Sequence, residues 1–154
     1  AEGLAKLVGG FFQVPVVLEQ FVGHWMPVRE RDRSRLGSTR SSLGRNTLLG
    51  KRVWDRQHKF RLRLGPLDLA QDNNLLPGKP GIDQLHACVR NYAGLEYAWD
   101  AQLVLRAESV PSLRLGGGGR LGYTGWLGKR RSARPADDLV LDVERTLKGR
   151  AAST

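Results

Sequence analysis

Cysteine is almost absent from this sequence: Cys88 stands alone among 154 residues, so no internal disulfide can close and no thiolate metal cluster can assemble. One cysteine fits a reducing compartment. Histidine is scarce as well, and His24, His58 and His86 are too far apart in sequence for any pair to have metal-ligand spacing. No stretch approaches the roughly 20 apolar residues that span a bilayer, and the apolar opening lacks the charged start and cleavage site of a secretory signal. No membrane insertion is expected. Catalytic signatures are missing too. There is no Gly-x-Ser-x-Gly elbow, and Cys88 falls within a predicted helix. Asp55, Asp100, Asp137 and Asp138 are scattered, with nothing to set two of them around a substrate. The run Gly116 to Gly119 lacks the Gly-Lys-Ser/Thr ending of a phosphate loop. The sequence thus predicts no enzyme, no metal and no cofactor.

What the chain has in excess is positive charge, +10 in total and unevenly spread. Residues 27–63 hold 12 Lys and Arg against 3 Asp and Glu, and residues 106–134 hold 7 against 1. These two stretches therefore carry +15 and the rest −5. Two separated basic segments call for acidic partners, either nucleic acid or an acidic protein face.

Apolar periodicity supplies the elements. Leu4, Leu7, Val8 and Phe11 recur at helical spacing until Pro15 intervenes, and Val14 to Phe21 is β-branched and reads as a strand. From His24 to Gly50 the pattern is lost to Arg, Ser and Gly, which predicts a long polar loop. Strict alternation from Lys59 to Leu64 predicts a strand with one wet side, and Asp68 is placed to cap a short helix ending before Pro77-Gly78. A second helix runs from Pro80 to Gly94 with Ile82, Leu85, Val89 and Tyr92 on one face. Alternation resumes from Leu95 to Leu105, a glycine-rich basic loop follows, and Leu139 to Leu141 reads as a final short strand. Phe60, Leu62, Trp99 and Leu103 are the expected core, with Trp54 also assigned a structural, packed role.

The order helix, strand, basic loop, strand thus occurs twice, over about residues 1–69 and 80–142. A sequence match joins the two loops. Leu43 to Arg52 aligns without gaps to Leu121 to Arg130, with six identities in ten. The expected architecture is one α+β domain over residues 1–145, two similar helix-strand-loop-strand units on a mostly antiparallel sheet, with residues 146–154 a frayed tail.

The shared residues of the loops are leucines and glycines as well as cations, which favours docking into a protein groove. The candidate docking residues are Leu43, Gly44, Leu48, Leu49, Gly50, Lys51 and Arg52 in the first loop, and Leu121, Gly122, Tyr123, Trp126, Leu127, Gly128, Lys129 and Arg130 in the second. Leu48 and Trp126 occupy equivalent positions and are the expected exposed anchors. The competing reading is a basic nucleic-acid-binding domain, in which Tyr123 and Trp126 stack on bases. Only the second loop carries such aromatics.

At Leu48 to Gln71, LLGKRVWDRQHKFRLRLGPLDLAQ, the sequence resembles the TssG family of type VI secretion baseplate proteins. VPVVLEQFVGHWMPV from Val14, WDAQLVLRAESVPSLRLG from Trp99 and RLGYTGWLG from Arg120 extend the resemblance, which covers residues 4–142 in one order. It implies the C-terminal half of a non-enzymatic wedge scaffold, working in the bacterial cytoplasm at the inner face of the cell envelope. Its implied partners are two copies of TssF, the gp25-like subunit TssE, and trimers of TssK held by foot-like loops. The family supplies no catalytic residues. This chain departs from it in lacking the N-terminal half, in a polar loop at residues 71–74 and in the arginines after Gly128.

Overall fold

The computed structural model describes residues 1–33, 50–111, 122–126 and 134–151, with side chains through residue 149. Helix α1 (Glu2–Phe12) stacks Leu4 and Val8 one turn apart in the core, and Gln13 closes it in the left-handed conformation, φ 54°. Its buried stripe is narrower than the spacing predicts. Leu7 and Phe11 are largely exposed, and Phe12 packs on the core instead.

Strands β1 (Val16–Glu19), β4 (Lys59–Leu67), β5 (Ala98–Leu105) and β6 (Ala136–Leu141) form one sheet in the order β1-β4-β5-β6. The outer pairs are antiparallel and the central pair β4–β5 is parallel. A parallel pair needs a crossover. Here it is built by α2 (Leu69–Asn74) and α3 (Pro80–Ala93). Asp68 caps α2 by accepting from the Gln71 amide at 2.8 Å while the Gln71 side chain accepts from the Asp68 amide at 3.0 Å. Pro80 opens α3 at a position where its missing N–H costs nothing.

The period-two patterns decide which face is wet. Phe60, Leu62 and Leu64 pair with Trp99, Ala101 and Leu103 across β4–β5, and all six are buried beneath the helices with Ile82, Leu85 and Val89 of α3. Each fully buried Leu or Ile here contributes about 1.5–3 kcal/mol. The opposite face bears Lys59, Arg61, Arg63, Asp100 and Gln102, with Val104 buried at its far end. Gly65, at φ 134°, lets β4 approach β5, since a Cβ there would lie 2.4 Å from the Val104 carbonyl oxygen. The fold is α+β, with helices on one side of a mixed, mostly antiparallel sheet.

Three expectations change. The region from His24, expected to be loop, contains β2 (His24–Pro27), which pairs antiparallel with β3 (Arg52–Asp55) in a separate two-stranded ribbon. Four-residue strands are too short to display a period. Strand β5 begins at Ala98 rather than Leu95, and Leu95 is 85% exposed, because Gly94 ends α3 and the next residues turn before joining the sheet. Of the residues expected to fray, 146–151 instead continue helix α4 (Val143–Ala151), and 152–154 lie outside the described residues. Asp142 caps α4 through the Arg145 amide at 3.0 Å, and Val143 is fully buried. Glu144 then receives Arg90 Nε at 2.6 Å, His86 Nε2 at 3.1 Å and the Trp99 indole N–H at 3.4 Å. Partial burial opposes its charge, but the bonds from Arg90 and Trp99 outweigh it and hold Glu144 below the usual carboxylate range. One carboxylate thereby ties α4 to α3 and β5.

Candidate protein-docking surfaces

The topology fixes where the two basic connections leave the body. Because β4 and β5 are parallel, the β1-to-β4 connection, residues 20–58, departs where Lys59 pairs with Ala98. The β5-to-β6 connection, residues 106–135, departs where Leu105 pairs with Leu67 and Ala136. These are opposite ends of the sheet. At about 3.3 Å per residue the nine residues of β4 set them roughly 26 Å apart.

The cations of β4 are matched within the sheet. Asp100, 2% exposed, takes Lys59 Nζ at 2.8 Å and a two-pronged contact from Arg61, Nε at 2.6 Å and Nη2 at 3.0 Å. Burial alone would raise the Asp100 pKa. The bonds from Arg61 and Lys59 reverse that and keep it below the ordinary value. Arg63 reaches Asp137 at 3.2 Å and Glu19 at 4.0 Å. This face therefore offers little unmatched charge to phosphate.

The first end is built by the ribbon. Trp25 faces Trp54 across β2–β3, with ring centroids 5.4 Å apart and planes at 68°. Both rings are more than half exposed, at 60% and 53%. Trp54 is thus not a core residue. It packs edge-to-face on Trp25 and lies over Gly23, where a Cβ would come within 2.3 Å of the indole. Asp55 holds the following turn by accepting from the His58 amide at 3.0 Å and lying 3.1 Å from His58 Nδ1. Beside the ribbon an open groove of about 440 Å³ is lined by Leu4, Leu18, Phe21, Phe60, Tyr92 and Tyr97. Phe60 stacks on Trp99 at 6.4 Å with planes 13° apart, which joins the groove floor to the core.

Of the candidate docking residues in the first loop, Gly50, Lys51 and Arg52 are exposed, and the Lys51 carbonyl accepts the Val28 amide at 3.0 Å. Leu43, Gly44, Leu48 and Leu49 lie outside the described residues, as do Leu121, Leu127, Gly128, Lys129 and Arg130 of the second. The described part of the second loop folds back on its own domain. Tyr123 packs against the main core and Thr124 is buried. Trp126, expected to be an exposed anchor, is half-buried, and its indole N–H donates to Asp138 Oδ2 at 3.3 Å. Gly122 stays exposed in a left-handed turn, φ 81°. Leu62 and Leu103 lie fully inside.

Sequence reasoning missed Trp25, Phe21 and Tyr97, which with Trp54 make the first end aromatic. The available signal was HWMP and RVWD, two four-residue apolar-polar segments bracketing the long loop. Among the described residues no group of His, Cys, Asp or Glu is arranged to hold a metal ion, and no helix is long and apolar enough to cross a membrane.

Residues 1–128 match the family model for type VI secretion TssG. No curated protein is a significant match. A similar solved structure is a chain of the type VI secretion TssK-TssF-TssG baseplate subcomplex determined by cryo-electron microscopy, with 21% identity and a TM-score of 0.66. The alignment covers 93% of this chain and 60% of that one, so this sequence spans less than two thirds of the solved chain's length. That likeness supports the fold. Because the family model extends over most of its residues, the chain belongs to the TssG family of type VI secretion.

Proposed function

We propose that the chain is a non-enzymatic scaffold of the type VI secretion baseplate wedge, which holds other subunits through the connections at the two ends of its sheet. It holds TssF, in two copies, and TssK trimers through its two foot-like loops, and the gp25-like TssE is a further partner. Assembly takes place in the bacterial cytoplasm, at the inner face of the cell envelope. The observation that carries this reading is topological. A rigid mixed sheet, with a parallel central pair, sends two basic connections out of opposite ends rather than side by side. The subunits named with the similar solved chain support TssK and TssF as partners, and TssE rests on the family resemblance alone.

Co-expression with TssF, TssK and TssE, followed by purification and mass spectrometry, tests the reading, and the subunits are expected to co-purify with the chain. A parallel titration against duplex and single-stranded nucleic acid at about 150 mM salt separates it from a nucleic-acid-binding domain. Sequence-selective binding with a Kd of roughly 10 nM or tighter would overturn the scaffold reading. Weak, salt-sensitive binding would not, since any protein of this charge attracts phosphate.

A further inference from the structure

The ribbon has two faces, and they differ. His24, Met26, Val53 and Asp55 point to one side, and only Met26 of these is exposed. Trp25, Pro27, Arg52 and Trp54 point to the other and all four are exposed, and Arg56, exposed as well, stands in the turn that follows β3. Two large indoles thus stand in water where a two-stranded ribbon needs all the burial it can find.

The charge on this face is also unlike that of the neighbouring strand. Lys59, Arg61 and Arg63 are matched by Asp100, Asp137 and Glu19. Arg52 and Arg56 have no carboxylate partner among the described residues; Arg56 makes only a 3.4 Å contact to the Phe21 carbonyl. They flank Trp54 at two residues on either side, Arg52 at the start of β3 and Arg56 in the turn just after it. Trp and Arg are the residues most enriched at the centres of protein interfaces.

We propose that this face, Trp25 and Trp54 between Arg52 and Arg56, docks an acidic segment of a partner protein. Its carboxylates engage the two guanidinium groups, and an apolar side chain between them seats in the corner of the indole pair. The ring geometry favours a protein over single-stranded nucleic acid. With planes at 68°, the two indoles do not form parallel platforms for successive bases, whereas an edge-to-face corner accepts a branched or aromatic side chain. The site is held in place from beneath: Gly23 gives Trp54 room to lie on the backbone, Val28 is buried beside the ribbon, and Arg33 Nε donates to the Val28 carbonyl at 3.0 Å. This surface rests on the scaffold reading, because its occupant is a protein, but it lies on the ribbon and shares only Arg52 with the leucine-glycine segments.

The test measures binding of the full chain to purified TssK and to purified TssF at about 150 mM salt, with a single-stranded oligonucleotide of about 20 nucleotides as a third probe. R52E/R56E is the informative variant, because both positions are exposed and its melting temperature is expected to match wild type. W54S serves as a second variant. The proposal predicts about a tenfold or greater rise in Kd for one protein partner with R52E/R56E and with W54S, while R52K/R56K stays closer to wild type. If wild type binds a partner and R52E/R56E binds it equally, the ribbon proposal is overturned and the scaffold reading stands. If wild type binds neither protein, both fall. If R52E/R56E abolishes oligonucleotide binding while the protein partners are kept, the face is a nucleic-acid surface and the proposal is overturned.

Discussion

The two ends of the sheet carry connections that look alike in sequence and sit differently on the fold. Both contain the spacing Leu-Gly, four residues, Leu-Gly-Lys-Arg. At the Lys59 end the chain rises into a separate ribbon, leaves Trp25 and Trp54 in solvent and borders an apolar groove. At the Leu105 end the described residues return to the body, with Tyr123 on the core and Trp126 bonded to Asp138 beside β6. A shared local motif therefore does not determine burial. The neighbours do: the second end offers a carboxylate and an edge strand for an aromatic to rest on, and the first offers another indole and the Gly23 backbone.

The largest test of this contrast concerns what the ends share. Trp99 stacks on Phe60 toward the first end and donates to Glu144 of α4, so Trp99→Ala should cost about 3–5 kcal/mol. Thermal unfolding followed by circular dichroism should still show one transition. Two transitions would mean that the ends belong to separately folding units.

The second end also carries a pH dependence of its own. Asp72 in α2 is 1% exposed with Oδ2 unbonded, and burial pushes its carboxyl up to about 6 from a reference value of 3.8. A raised carboxyl favours the folded state most when protonated, so its full contribution is present below about pH 4 and is lost as pH rises through 6. Asp72→Asn should therefore stabilise the protein by on the order of 2–3 kcal/mol at neutral pH and leave stability near pH 3.5 unchanged. Urea titrations at the two pH values decide it. A gain of equal size at both would show that the effect is not proton-linked.

Smaller effects separate the aromatics of the two ends. Trp126→Asp removes a half-buried ring and its bond to Asp138 and should cost about 1–3 kcal/mol, which excludes it as a clean probe of docking. Trp25→Ala removes only an exposed edge-to-face partner and should cost about 0.5–1.5 kcal/mol. Melting temperatures in the reverse order would break the distinction between a tucked end and an open one. Gly23→Ala should cost an amount similar to Trp25→Ala, about 0.5–1.5 kcal/mol, because its Cβ displaces the Trp54 ring from Trp25, and should alter the near-ultraviolet circular dichroism.

Much of the fold was legible because its signals are periodic. Alternation from Lys59 to Leu64 marks the buried face of β4, Asp68 marks the cap of α2, and Gly94 marks the end of α3. The elements that escaped are those stabilised by distant partners. β2 and β3 are four residues each and lie on either side of the longest loop, so neither carries a pattern alone. Helix α4 is mostly polar, and what anchors it is Glu144 reaching Arg90, His86 and Trp99 from elsewhere in the chain. A local sign did exist in Asp142, three residues before Arg145, whose amide it caps. For the docking surface, the position of both basic connections was readable but their departure from opposite ends was not. That follows from the parallel pairing of β4 with β5, a contact between residues 39 apart such as Lys59 and Ala98.

The central claim is that each end of the sheet holds its own partner, and native mass spectrometry of the full chain with purified TssK tests it most directly. Leu49→Asp alters the first connection and Leu127→Asp the second, equivalent positions in the two aligned segments, each placing a carboxylate at a candidate docking residue. The account predicts two TssK assemblies on wild type, one on each single variant and none on the double variant, with all four chains melting at the same temperature. Wild type holding only one assembly, or either single variant still holding both, would contradict it.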